Sequence, residues 1–257
     1  MLNSLSHLKD AKVSARDGEI GKIKEAYFDD RDWALRYLVV ETGNWLDGRP
    51  LLISPYSVQQ PLGHGNHLHL NLTQDQVRSS PSIDMHKPVS RQYERAFLRH
   101  YEYPEYWAGG ALWGLDAMPG SNEQLHRAYL DQAANADMLA RDFKPAEVHL
   151  RSSNEVTDYD IQASDGSIGS VSDFVLDDSN WAIRYLVVDT SAWWQSGHRV
   201  LIGMKWADRV DFPSRQVHVK LTRAQVKASP KYEDVASIHR EYEERLHRNY
   251  ERVGYWD

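Results

Sequence analysis

Cysteine is absent from the chain. That excludes disulfides, thiolate metal sites and a cysteine nucleophile together, and it fits a reducing compartment. No apolar run approaches the roughly 20 residues a membrane helix requires, and the longest core stretches are strand-sized, like the Tyr-Leu-Val-Val of residues 37–40. Residues 1–12 carry no apolar stretch ahead of their charges, so a cytoplasmic protein with no membrane insertion is expected. Positive charge is in deficit, with 30 Lys and Arg against 37 Asp and Glu and a net charge of −7. Such a field repels polyphosphate, and nucleic acid is not an expected partner. Missing too are a Gly-x-Ser-x-Gly nucleophile elbow and a glycine-rich loop ending in Lys-Ser/Thr. No catalytic residue, cofactor or metal is therefore expected.

What the chain does have is a globular balance, 41% apolar and 26% charged over 257 residues, which suits two domains of ordinary size. It also has an internal repeat. Residues 33–42 read WALRYLVVET and residues 181–190 read WAIRYLVVDT. The likeness extends outward: Asp17-Gly18 and Gly21 match Asp165-Gly166 and Gly169, and Asp29-Asp30 match Asp177-Asp178. LTQDQVRSSP at 72–81 meets LTRAQVKASP at 221–230, and Tyr93, Tyr101 and Trp107 meet Tyr242, Tyr250 and Trp256. The expected organisation is a first repeat with a helical tail over 1–107, a connector over 108–150 and a second repeat with its tail over 151–257.

Within one copy, short β-rich runs alternate with turn signals. Asp17-Gly18 and Asp165-Gly166 predict type I′ hairpins, whose two central residues both need positive φ. The Tyr-Leu-Val-Val runs read as fully buried central strands. Further strands are expected at 51–54 and 200–203, after turns at Asp47-Gly48 and Ser196-Gly197, and at 67–72 and 216–221. Short strands in so small a unit favour a curled sheet or small barrel, because closure removes exposed edges. Thr73 with Gln76 and Thr222 with Gln225 have capping-box spacing, and Pro81 and Pro230 limit those helices to about two turns. A longer helix should follow in each copy, carrying Tyr93, Phe97 and Tyr101 or Tyr242, Leu246 and Tyr250, with Glu241/Arg245 and Glu244/Arg248 as exposed pairs. In the connector, Ser121 and Gln124 predict another capped helix, running to about Arg141.

The string of Asp-Gly, a glycine three residues on, Asp-Asp and then the Trp-Ala-Ile-Arg-Tyr-Leu-Val-Val-Asp-Thr run resembles the PRC-barrel family, over residues 12–60 and again over 160–212. The resemblance implies a small β-barrel with appended helices in each copy, so the expected fold class is mainly β with appended helices (α+β), two barrels related by duplication. It also implies a role in protein–protein or protein–RNA contact. No membrane helix of the reaction-centre H-subunit kind is present, and no extra RNA-contacting domain or basic surplus of the ribosome-maturation kind. What remains is similar to the free-standing tandem PRC-barrel proteins of bacteria.

The chain holds 9 tryptophans, and Trp33/Trp181, Trp45/Trp193 and Trp107/Trp256 recur between copies. Trp45, Trp193 and Trp194, in a loop between strands, read either as partner-anchoring hot spots or as plugs of the barrel end, and Trp33 and Trp181 share that ambiguity. Glu25 and Asp173 sit in an otherwise apolar strand and Arg36 and Arg184 in the next, so each carboxylate is expected to pair with the arginine of its own copy. His64, His67 and His69 cluster, yet with no acidic or thiol ligand near them they read as solvated loop and strand-end residues. The aromatic stripe of the tail helices reads as core. The function expected is a non-catalytic interaction or scaffolding protein that binds another protein, with a homodimer as a further arrangement. The alternatives are an RNA- or ribosome-associated accessory, and a small-ligand binder with its site between the repeats.

Overall fold

The computed structural model describes residues 1–59, 67–84, 89–120, 149–194 and 197–256. The protein is mostly β, with mixed sheets and short helices. Among the described residues no helix is long and apolar enough to cross a membrane. The chain divides into two compact units. The N-terminal unit comprises residues 8–152 and 179–181, and the C-terminal unit comprises residues 1–7, 153–178 and 182–257. The strands in chain order are β1 (Leu2–Ser4), β2 (Lys12–Ala15), β3 (Gly18–Asp29), β4 (Ala34–Thr42), β5 (Pro50–Ile53), β6 (His67–His69), β7 (Leu150–Ser152), β8 (Asp160–Ala163), β9 (Gly166–Asp177), β10 (Ala182–Asp189), β11 (Arg199–Gly203), β12 (Ala207–Asp211) and β13 (Gln216–Val219). Among the described residues the α-helices are α1 (Leu5–Leu8), α2 (Gln74–Arg78), α3 (Arg91–His100), α4 (Ser153–Val156), α5 (Arg223–Lys227) and α6 (Arg240–Asn249).

In the N-terminal unit the long strand β3 is the organiser. One edge pairs antiparallel with β4, and the other pairs with β2 near its start and with β7 over Tyr27, Phe28 and Asp29. β5 extends the sheet beyond β4, and β6 lies parallel to β2. In the C-terminal unit β9 plays the same part: β10 and then β11 lie on one side, while β8 and β1 share the other edge. β13 runs parallel to β8 and pairs antiparallel with β12. The ladders are open mixed sheets. Tyr37, Leu38, Val39 and Val40 are buried, as are Tyr185, Leu186, Val187 and Val188, because each run lies in a strand paired on both sides or covered by a tail helix.

The hairpins form where expected, but with a different turn. Ala15 pairs with Gly18 and Ala163 with Gly166, so the loops are residues 16–17 and 164–165, and none of these loop residues has positive φ. The aspartates have another task. Asp17 accepts from the Gln74 N–H and Asp165 from the Arg223 N–H, both at 2.7 Å. Each loop thus satisfies an otherwise unbonded donor at the start of α2 or α5. Both capping boxes are present, Thr73 with Gln76 and Thr222 with Gln225. The glycine three residues beyond each Asp-Gly has a steric reason. A Cβ at Gly21 or Gly169 would lie 2.1 Å from the carbonyl oxygen of Glu41 or Asp189.

The tail helices α3 and α6 bury Phe97 and Leu98, and Tyr242, Leu246 and His247, respectively. Among the described residues no ion pair joins Glu241 to Arg245 or Glu244 to Arg248; Arg245 lies over the Tyr242 ring at 6.0 Å. The connector helix expected after Ser121 and Gln124 lies outside the described residues, as does His64. Trp113, at the near end of the connector, is buried in the N-terminal unit and donates its indole N–H to the Asn180 carbonyl at 2.7 Å.

Candidate functional site

The tryptophans occupy quite different surroundings. Trp33 and Trp181 stand in the turns that join β3 to β4 and β9 to β10, both with positive φ, 53° and 59°. A bulky side chain tolerates that backbone only where packing holds it. Trp33 stacks on Phe28 with ring centroids 5.1 Å apart. Trp181 is fully buried in the N-terminal unit, its carbonyl accepting from the Leu35 N–H at 2.9 Å, so it packs and cannot grip a partner. Trp45 is half-buried in a short helical turn, Asn44–Leu46, with the Arg78 guanidinium 5.6 Å from its ring centre. Trp193 differs from all of these. It is 44% exposed in the loop that follows β10. The N–H groups of Trp193 and Trp194 both reach the Thr190 carbonyl, at 3.0 and 3.3 Å, so residues 190–194 form a tight turn.

The charged strand residues do not pair as expected. Antiparallel register sets Glu25 opposite Val39, and Arg36 falls in an irregularity between the Tyr27–Tyr37 and Phe28–Leu35 pairs, so arginine and carboxylate are displaced along the sheet. Arg36 instead donates to the Leu112 carbonyl at 2.6 Å and to Asp32 at 3.2 Å. Its guanidinium lies 4.0 Å from the centre of Tyr106 and 4.8 Å from that of Trp113. Arg184 pairs with Asp177 at 2.6 Å and lies 4.2 Å from the Tyr255 ring centre. Glu25 accepts from the Ser152 hydroxyl at 2.6 Å, and Asp173 accepts from the hydroxyl and N–H of Ser6 at 2.7 and 3.0 Å and from the Ser4 hydroxyl. The carboxylates hold β7 and the β1 segment in place.

A second pair of carboxylates escaped the sequence reading. Glu94 on α3 is 2% exposed and accepts from Tyr106 at 2.6 Å and Tyr37 at 3.2 Å, with Arg91 at 3.2 Å. Burial pushes its carboxyl up to about 7 against the opposing pull of Arg91 and the two hydroxyls. In the C-terminal unit Glu243 on α6, 4% exposed, takes the Tyr185 hydroxyl at 2.8 Å and has Arg240 at 3.6 Å. Arg91 covers the Trp107 ring at 3.9 Å and Arg240 covers Trp256 at 4.0 Å. Each carboxyl thus docks a tail helix onto the Tyr of the buried strand. So enclosed a group can hold or release a proton but presents no face to an outside substrate. The signal was the shared Arg-x-x-Glu at the start of each tail helix, which on sequence alone looks like a solvated i,i+3 pair. His67 and His69 have ring centroids 4.3 Å apart, and His67 bonds Ser14 at 2.7 Å.

The C-terminal unit thus combines a capped α5, the buried β10 and the long β9 in one mixed sheet. Residues 151–226 match the PRC-barrel domain. The PRC-barrel match runs from within β7 to the last turn of α5, so α6, which carries Glu243, lies beyond it. None of the curated proteins matches the chain.

Proposed function

We propose that this protein is a non-catalytic interaction module, a duplicated pair of PRC-type barrels in the bacterial cytoplasm that binds another protein through the Trp193 loop. The observation that carries the reading is the exposure of Trp193, 44%, on a turn whose two N–H groups, of Trp193 and Trp194, bond the Thr190 carbonyl. A large aromatic carried on a bonded turn needs little backbone ordering on binding, which suits an interface anchor. The duplication is supported by the paired capping boxes and by the positive φ at both Trp33 and Trp181. Barrel closure is supported by the Val58–Leu70 bridge in one unit and the β12–β13 ladder in the other, which turn the chain after β5 and β11 back toward β6 and β13. The buried carboxyls fit the non-catalytic reading, since their partners are the protein's own tyrosines.

The test is affinity capture from native lysate with wild-type and Trp193→Ala baits, followed by binding measurements on the purified partner. Loss of an anchor should weaken binding by about tenfold or more, the effect of roughly 1.4 kcal/mol. Equal retention by both baits, or no specific partner for wild type, overturns the proposal.

A further inference from the structure

β1 and β7 are docked in the same way. Each lies in a lane along the outer edge of a long strand, Leu2, Asn3 and Ser4 against Asp177, Leu176 and Val175, and Leu150, Arg151 and Ser152 against Asp29, Phe28 and Tyr27. Each incoming strand begins with leucine, and its third residue is a serine whose hydroxyl goes to a carboxylate on the long strand, Ser4 to Asp173 and Ser152 to Glu25. At the far end of each lane a side chain of the incoming strand meets a second aspartate, Asn3 with Asp178 at 2.9 Å and Arg151 with Asp30 at 2.8 Å. Backbone pairing with a side-chain latch is how an edge strand receives an added strand.

The strands are also traded. β1 precedes β2 in sequence, yet it belongs to the C-terminal unit, while β7 precedes β8 and belongs to the N-terminal unit. What a lane recognises is therefore the strand, not its covalent neighbour. The β1 segment is short: three paired residues, of which only Ser4 is buried, the Asn3–Asp178 bond, the bond from the Asp178 N–H to the Met1 carbonyl, then Leu5 and the bonds of Ser4 and Ser6 to Asp173. Just beyond α1, Asp10 has positive φ, 64°, marking a sharp change of chain direction before β2. A short segment with few buried contacts opens at low cost, and an identical element from another molecule fits the vacated lane equally well.

We infer that the β9 lane is a strand-docking site for a second copy of this chain, and that the protein dimerises by exchanging residues 1–7. The lane reads a Leu-x-Ser-x-Ser segment through Asp173 and the edge of β9. Because the chain has no cysteine, single cysteines report the exchange without background. Ser6 and Asp173 are in side-chain contact at 2.7 Å, so chains carrying Ser6→Cys and chains carrying Asp173→Cys are mixed, incubated and oxidised mildly. A covalent heterodimer bridged between positions 6 and 173, seen as a shift from monomer to dimer on a non-reducing gel and located by peptide mass, is expected. The doubly substituted chain reports the geometry by closing its bridge in the same assay. If the double variant closes internally and the mixed single variants give no 6–173 heterodimer, the lane is served only in cis and the inference fails. It fails equally if the double variant forms no 6–173 bridge at all, since the segment would then not dock beside Asp173.

Discussion

The Tyr106 hydroxyl donates to Glu94 at 2.6 Å, and with Tyr37 it forms a buried clasp between the tail helix and the central strand of the N-terminal unit. The clasp has a pH consequence. Glu94 rises from 4.5 to about 7 on folding, chiefly through burial. Between those values the folded protein keeps a proton that the unfolded chain releases, so stability falls as pH rises through the window. The full effect is on the order of 3 kcal/mol. Denaturant unfolding between pH 5 and pH 8 should show this decline, and Glu94→Gln should flatten it; a slope indifferent to that substitution refutes the assignment.

Arg36 is buried with two aromatic faces against its guanidinium. Lysine lacks the planar fork whose two nitrogens reach the Leu112 carbonyl and Asp32 separately. Arg36→Lys and Arg36→Met should each lower stability by about 2–4 kcal/mol, read from the urea midpoint at constant slope. Matching midpoints for wild type and both variants would show that the buried cation is dispensable.

Gly21 and Gly169 face carbonyl oxygens at a distance no Cβ tolerates. Gly21→Ala and Gly169→Ala should cost about 3 kcal/mol or abolish soluble expression, since backbone must shift. Gly43 has nothing within 4 Å of its Cβ position, and Gly43→Ala should change stability by no more than about 0.5 kcal/mol. Thermal melts of the three variants side by side decide the matter.

His247 joins Tyr185, at 3.0 Å from Nε2, to the Val253 carbonyl, at 3.0 Å from Nδ1, and its ring meets Trp256 at 4.7 Å. The matching residue of α3 is Leu98, which is buried without any polar partner to satisfy. His247→Leu should loosen residues 251–256 at a cost of about 1 kcal/mol, leaving the Tyr185–Glu243 bond in place. Faster amide exchange in that tail and altered Trp256 emission are the readouts. Unchanged exchange would mean the histidine does not hold the tail.

Much of the local structure was legible. The buried Tyr-Leu-Val-Val strands and both capping boxes follow from period and spacing, because each depends on residues within one turn or one strand. Less legible were features set by register. Glu25 and Arg36 look like partners in adjacent strands, but an irregularity in the β3–β4 ladder displaces them. Asp17 and Asp165 look like turn formers, yet their side chains serve helices that begin 57 and 58 residues later. The buried role of Glu94 depends on Tyr106 closing over it, which no local pattern announces. β1 passed unnoticed, as a three-residue strand whose partner lies in the other half of the chain has no signature of its own. Of the loop tryptophans singled out, Trp193 is separated from Trp45 by exposure, and exposure is a property of the fold.

The traded strands also govern the order in which the molecule can be made. Ser4 leaves the ribosome long before Asp173, 169 positions later, and β3 must wait for β7 to emerge. Neither sheet can be completed while the chain is still half synthesised, so the nascent protein carries an open β3 edge until β7 emerges and an unpartnered β1 segment until β9 follows it. Slow, non-local closure of that kind exposes a growing chain to mispairing with its neighbours on the same message.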